Sequence, residues 1–322
     1  MGKIRTAVVG LGMGLQHVYA YDESEKADLR YVVDLDEEKA ARVAKEVGCD
    51  YATDWTTIID EVDAISICTP HHLHAPQALQ EIAKGKHVLI EKPLGNTEQE
   101  CIDVIQAAEE KNVTLMMAYV VRYWPAVKRL QEALESGEYG QPINANCWIE
   151  GFLKPVPGTW FSKKDQLGGG VLFSHGCHYV DLIISLFGEP TQVAAFSSHV
   201  GTEWMEGEGT SQAIMEFENG AVANLTTSWG MKYKDTPALL HVHTTKAAFV
   251  LKALKLEVIT EEGRQVLYDP ETEDKPKSTT FWEIEHFLDS IATGQTPETD
   301  GHDAMKSLRA IWKMYDFEKQ LG

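Results

Sequence analysis

Between Ile4 and about Tyr119, short apolar runs alternate with longer stretches whose apolar positions recur every three or four residues. The runs fall at residues 6–10, 29–33, 64–68, 87–90 and 114–118, and the helical stretches include 37–47, 74–84 and 97–111. Continuous apolar strands separated by amphipathic helices predict a parallel sheet covered on both faces. Thr97, with Glu100 three residues on, has the form of a capping box. After Tyr119 the texture changes. A helix over 125–136 stops at Gly137, and strand-like segments follow at 143–150, 192–199, 211–217, 221–228, 239–244, 247–250 and 257–260. Asn219-Gly220 between two alternating runs predicts a tight hairpin turn with positive φ angles. Helices are predicted over 281–293 and 302–321. The expected architecture is an α/β Rossmann domain with a doubly wound parallel sheet over residues 1–120. A C-terminal α+β domain with an open, mostly antiparallel sheet follows over 121–322.

Composition narrows the partners. A chain of 322 residues with 43% hydrophobic and 24% charged residues can bury a full core, and two domains are the natural division. A formal net charge of −20 disfavours nucleic acid, whose phosphates it would repel. No continuous apolar run of spanning length interrupts the sequence, and residues 1–9 enter a strand without the anatomy of a signal peptide, so no membrane role is expected. Five scattered cysteines suit free thiols in a reducing compartment, and the expectation is a cytoplasmic protein.

The segment Gly10-Leu11-Gly12-Met13-Gly14 sits where the first strand turns into a helix. Glycines there permit a tight turn and let the backbone approach a pyrophosphate over the helix N-terminus. The spacing departs from G-x-G-x-x-G, because the third glycine comes one place early and Leu15 fills the sixth position. Asp34, at the end of the second strand, can accept hydrogen bonds from adenosine ribose hydroxyls and would repel a 2′-phosphate. No Arg or Lys occurs in Leu35-Asp36-Glu37-Glu38, so NAD is expected over NADP. Asp36 is expected to cap the following helix.

Ser66-Ile67-Cys68-Thr69-Pro70-His71-His72-Leu73-His74 and Gly85-Lys86-His87-Val88-Leu89-Ile90-Glu91-Lys92-Pro93-Leu94 make the reading specific. They closely resemble the Gfo/Idh/MocA family of glucose–fructose oxidoreductase and the inositol dehydrogenases, whose pattern runs T-P-N-x-x-H and then G-K-H-V-x-x-E-K-P. The resemblance spans essentially the whole chain, continuing through 135–140, 168–172, 176–181 and 287–294. It implies a dehydrogenase acting on a secondary alcohol of a sugar, cyclitol or related polyol. Such a reaction needs a base for the hydroxyl proton while hydride leaves the same carbon. The resemblance places Lys92 at the catalytic lysine, Glu91 as the group that orients it or contacts the coenzyme, and a cis peptide before Pro93. Thr69, Pro70, His71 and His74 fall on the nicotinamide-ribose side, with His71 replacing the family's Asn. For His71, His72 and His74, coenzyme contact and a structural role both remain open.

The family's second motif, D-x-G-x-H-x-x-D, reads here from Ser174 through His175 and His178 to Asp181. The resemblance makes His178 the histidine that hydrogen-bonds the reacting hydroxyl. Asp181, one helical turn on, either orients that imidazole or is a satisfied structural group. Ser174 stands where the family often has Asp, which puts a carboxylate relay in doubt, and His175 is a further substrate contact. Arg122 is assigned to the coenzyme side, and Tyr123, Trp160, Lys154 and Tyr179 are candidates for the substrate pocket. The tryptophans, Trp148 and Trp229 included, suit sheet core at least as well. The clusters His71/His72/His74, His175/His178 and His241/His243 lack zinc-type companions, so no metal is expected. The family commonly forms dimers or tetramers through the flat sheet face, and a homo-oligomer is expected here. Two other classes stay open: a redox-assisted glycoside-cleaving or eliminating enzyme, and a non-catalytic dinucleotide-binding sugar sensor.

Overall fold

The computed structural model describes residues 2–233, 235–236, 238–272, 276 and 278–321. These form two compact units. The first is Met1–Val120 together with Pro276–Met305. It contains β1 (Ile4–Val9), α1 (Gly14–Glu23), β2 (Ala27–Val33), α2 (Glu37–Val47), β3 (Asp50–Ala52), β4 (Ala64–Ile67), α3 (His74–Ala83), β5 (His87–Glu91), α4 (Glu98–Lys111) and β6 (Leu115–Ala118). The strands form one parallel sheet in the order β3-β2-β1-β4-β5-β6. β4 and β6 are buried at every position, as parallel strands between two helical layers must be. Asp36 caps α2, accepting from the Lys39 N–H, and Thr97 and Glu100 form the reciprocal capping box of α4.

The second unit is Val121–Lys275 with Lys306–Gly322. It contains α5 (Pro125–Glu135), β7 (Pro142–Glu150), α6 (Lys164–Leu167), a π-helical turn over Leu172–Gly176, α7 (Cys177–Phe187), β8 (Pro190–Ser198), β9 (Thr210–Phe217), β10 (Val222–Ser228), β11 (Leu240–Thr244), β12 (Ala248–Lys252), β13 (Lys255–Thr260) and β14 (Gly263–Tyr268). Its open sheet runs β14-β13-β12-β11-β7-β10-β9-β8 and is antiparallel except where β7 and β10 lie side by side in parallel. Ala145, Cys147 and Ile149 of β7 are buried, whereas Asn144, Asn146 and Trp148 are only half-buried, so one face is covered and the other is polar. The stretch Lys164–Phe187 has the length and composition to cross a membrane, but 78% of its apolar window is buried inside the protein.

The chain then returns. α8 (Phe281–Thr293) and the first residues of α9 (Gly301–Leu321) belong to the first unit, so a single division at residue 120 leaves out part of that unit. The physical reason is an exposed strand edge. Met117 on β6 donates its N–H to the Thr299 carbonyl at 2.8 Å, and Thr299 Oγ1 returns a bond to the Met117 carbonyl at 2.7 Å. The hairpin turn at Asn219-Gly220 also differs from expectation. Only Gly220 has a positive φ, and Phe217 pairs with Ala221 across a three-residue loop. The two-residue turn with both φ positive occurs instead at Ala253-Leu254, without any glycine. β3 and β14 were not foreseen: one is a three-residue edge strand, and the other is an exposed edge with little apolar alternation.

Glu81, on α3, is fully buried, with one oxygen held by Gln77 Nε2 at 2.8 Å and the other without a partner. Burial pushes its carboxyl up to about 8. An acid raised in the folded state stabilises most below its unfolded value and loses that contribution as pH rises through about 8. Glu81→Gln is therefore expected to match the wild type in urea unfolding at pH 5. At pH 9 it is expected to exceed the wild type by about 1–3 kcal/mol.

Candidate active site

Because the first sheet is parallel, the carboxyl ends of β1, β2, β4 and β5 share one edge, where such sheets bind ligands. Each glycine of the first loop answers a different demand. Gly10 has φ +91°, and a Cβ there would lie 2.5 Å from the Cys68 carbonyl oxygen. A Cβ at Gly12 would meet nothing within 4 Å. One at Gly14 would lie 2.9 Å from Val8 Cγ1 and 3.1 Å from Cys68 Cβ. Gly14 therefore does the work of a third motif glycine, close helix–sheet packing, because α1 starts at that residue. Leu11 is buried and Met13 exposed, and no side chain caps α1, which leaves first-turn N–H groups suited to an anion.

Asp34 follows β2. Its Oδ2 accepts the Leu11 N–H at 2.9 Å and Lys39 Nζ at 3.0 Å, and its Oδ1 accepts the Asp36 N–H at 3.0 Å. Burial pushes the carboxyl up, but the two N–H donors and the Lys39 ammonium outweigh it and hold the group below its ordinary value. Lys39 lies one place beyond Leu35-Asp36-Glu37-Glu38, which contains no basic residue.

At the ends of β4 and β5 the frame is built by histidines. Fully buried His74 places Nδ1 2.7 Å from the Pro93 carbonyl oxygen and Nε2 2.7 Å from that of Thr69. A neutral ring can donate to one of these and a protonated ring to both. Burial pulls the imidazole down, while the two carbonyls push it up. Both ring nitrogens face main chain, so His74 helps to build the frame at the ends of β4 and β5. His71 is buried 5.7 Å from His74, ring centre to ring centre, and Thr69 Oγ1 bonds Gln77 Oε1. Pro70 is half-buried, and the Lys92-Pro93 bond is cis. Glu91 is buried, its Oε1 3.2 Å from His17 Nε2 and its Oε2 accepting the Lys92 N–H at 3.2 Å. Lys92 is half-buried. His17 was not foreseen, because 74 residues separate it from Glu91 and no local pattern links them. Glu283 on α8 was also missed. It is fully buried with both carboxyl oxygens unpartnered, and burial and the Glu91 charge hold its proton on.

In the second unit, Ser174 is buried within the π-helical turn, a helical irregularity common at functional sites. His175 is half-buried and lies parallel to Trp229 at 6.5 Å, with Tyr179 edge-on at 5.8 Å and His178 edge-on at 6.5 Å. Burial pushes the Tyr179 phenol up. Arg122 Nε and Nη2 donate to the two Asp181 oxygens at 2.7 Å each, with side-chain exposures of 11% and 1%. Arg122 and Asp181, expected from the sequence on the coenzyme and substrate sides, thus form a buried ion pair that anchors α7. Trp160 packs tilted against Phe161, with ring centres 4.0 Å apart, beside a cluster that includes Leu167, Val171 and Trp229, which favours core over substrate contact. Tyr123 is buried with Lys128 Nζ 5.4 Å above its ring, and Lys154 is exposed. Gly170, the last glycine of the triplet before Ser174, is required by Glu208: a Cβ there would come 2.2 Å from both its carbonyl oxygen and Oε2. Glu208 in turn accepts the Leu172 N–H at 3.1 Å and Tyr315 OH at 2.7 Å.

Residues 4–119 match the model of the oxidoreductase family with an NAD-binding Rossmann fold, and residues 127–250 match the Gfo/Idh/MocA C-terminal domain. The chain belongs to the Gfo/Idh/MocA family of oxidoreductases. It is 27% identical to D-xylose 1-dehydrogenase (NADP(+)) 2 of Haloferax volcanii over 95% of this chain and 94% of that protein. It is 25% identical to scyllo-inositol 2-dehydrogenase (NAD(+)) of Bacillus subtilis over 95% and 91%. The solved structure of levoglucosan dehydrogenase with NADH and levoglucosan shares its fold, with a TM-score of 0.89 at 22% identity over 99% and 98% of the two chains. Within this family the coenzyme is a nicotinamide dinucleotide, and the glycine loop and Asp34 are the groups suited to hold it.

Two outcomes are expected. Gly12→Ala should leave the urea midpoint unchanged yet weaken NADH in a fluorescence titration by roughly tenfold or more, whereas Gly14→Ala should lower stability by about 1–3 kcal/mol. His74→Leu, which removes the ring whose two nitrogens face the Pro93 and Thr69 carbonyls, should cost about 1–3 kcal/mol in the same unfolding assay.

Proposed function

We propose that this chain transfers a hydride between a nicotinamide coenzyme, NAD by preference, and a secondary alcohol of a sugar, cyclitol or related polyol, with Lys92 as acid/base and His178 assisting. The observation that carries the reading is the setting of Lys92. It follows directly on β5, its N–H is held by Glu91, and Glu91 is fixed by His17. Its place directly after β5 puts Lys92 at the carboxyl edge of the parallel sheet, the edge that also carries the glycine loop. Held there, a nicotinamide would supply the acceptor for the hydride of the alcohol carbon. Lys92 Nζ takes the hydroxyl proton as the C=O bond forms, and returns it in the opposite direction. In its protonated form the same amine stabilises negative charge on the reacting oxygen.

The preference for NAD rests on Asp34. Two of its roughly four lone-pair positions face main-chain donors, and acceptor capacity remains on Oδ1 for a ribose hydroxyl. Next to it Leu35, 91% exposed, offers apolar surface to an adenine ring. The relatives named as xylose and inositol dehydrogenases support the substrate class. His175 and Ser174 are assigned to substrate contact, with Ser174 giving a hydroxyl where a carboxylate is common in the family.

The test is a panel of sugars and polyols with NAD and NADP, followed at the absorbance of reduced nicotinamide. Lys92→Ala should lower turnover by about 10²–10⁴-fold while NADH still binds. Turnover indifferent to Lys92→Ala would sink the mechanism. Substrate cleavage or elimination without net reduction of coenzyme would replace it with the redox-assisted alternative.

A further inference from the structure

We propose that Glu208 is a positioning residue for the substrate side, capping the helical stretch that begins at Val171 and thereby fixing how His175 faces the substrate. The inference rests on the reading of His175 as a substrate contact. The first N–H groups of a helix have no partner within it. Gly168-Gly169-Gly170, just before this one, has no side chains to offer. The cap comes instead from 36 positions further on. The Val171 N–H donates to the Glu208 carbonyl at 2.8 Å, and the Leu172 N–H donates to Glu208 Oε1 at 3.1 Å.

Glu208 is held in turn. It is buried, and Tyr315 OH donates to the same Oε1 at 2.7 Å while accepting the Gly170 N–H at 3.3 Å. A Cβ at Gly207 would run into the Gly169 carbonyl, so the loop carrying Glu208 lies directly on the glycine triplet. Burial outweighs the donors and pushes the carboxyl up, so the clamp calls for an acceptor oxygen and not for a full charge. The consequence falls on the π-helical turn over Leu172–Gly176. Such a turn holds one residue more than an α-helical turn, and each residue corresponds to about 100° of rotation about the axis. Rewinding it as α-helix would swing Val171 and Leu172 away from Glu208. The clamp therefore holds the turn open, with His175 parallel to Trp229 and 6.5 Å from His178, ring centre to ring centre.

Steady-state kinetics at saturating NAD, on the sugar or polyol that the wild type oxidises fastest, compare Glu208→Ala, Glu208→Gln, Tyr315→Phe and His175→Ala. Glu208→Ala should raise KM roughly tenfold or more and lower kcat by a smaller factor, with NADH bound within about threefold of the wild type. Glu208→Gln, which returns an oxygen to the same point, should bring KM back to within about threefold of the wild type. A role in stability alone would leave the KM of the folded enzyme unmoved. Tyr315→Phe should raise KM by about threefold or more, and it decides the matter if Glu208→Ala does not fold. An unchanged KM in the deciding variant, while His175→Ala raises it, overturns the proposal and leaves the reading of His175 standing. An unchanged KM in His175→Ala removes that reading and the proposal with it, as does a wild type that turns over no sugar or polyol.

Discussion

How closely α1 can approach the parallel sheet governs the rest of the first unit. Gly14 contributes no side chain, so the helix lies against Val8 of β1 and Cys68 beyond β4 with no room for a methyl group. That depth brings the buried face of α1 to its partners: His17 reaches Glu91, and Tyr21 OH lies 2.9 Å from Ser66 Oγ. Glu91 holds the backbone of Lys92. Helix packing, loop shape and the placing of the lysine are therefore one geometric solution, and a helix displaced by the width of a methyl would loosen all three.

The same interior sets the charge state of its carboxyl groups by what surrounds them. Glu81 and Glu283 are buried with too few donors, and desolvation keeps their protons on. Asp34 is partly buried too, yet two N–H groups and an ammonium make its ionised form the stable one. In the second unit Arg122 and Asp181 solve the problem differently, by bidentate pairing that would be costly to break one partner at a time.

Much of this was legible in the residue order. Apolar runs marked the buried parallel strands, because a strand covered on both faces has no polar side. Asp36, Thr97 and Glu100 marked helix starts, because capping acts over three residues. Glu91-Lys92-Pro93 marked the end of β5 through its resemblance to a known family. What escaped depends on distance in the chain. His17 meets Glu91, Arg122 meets Asp181, and Glu208 meets Gly170 only once the chain has folded, and no short pattern encodes such meetings. β3 and β14 escaped because an edge strand has few neighbours to impose an alternation. Lys39 stands one residue beyond Leu35-Asp36-Glu37-Glu38, and its ion pair with Asp34 exists only in the folded chain. The displaced glycine, which looked like a defect in the motif, proved to be the packing glycine of a helix that begins early.

The pairing of Met117 with Thr299 also bears on how the protein is made. The two residues are 182 positions apart, and the whole intervening sheet of the second unit is encoded between them. At roughly 5–20 residues per second, a ribosome exposes β6 about 10–40 seconds before the segment that closes its edge. During that interval the nascent first unit carries an open strand ladder, a surface that pairs readily with other chains. Vectorial synthesis thus leaves the coenzyme-binding half incomplete until residues 276–305 have emerged, though it is the first to appear, and makes that closing segment a determinant of yield as well as of structure.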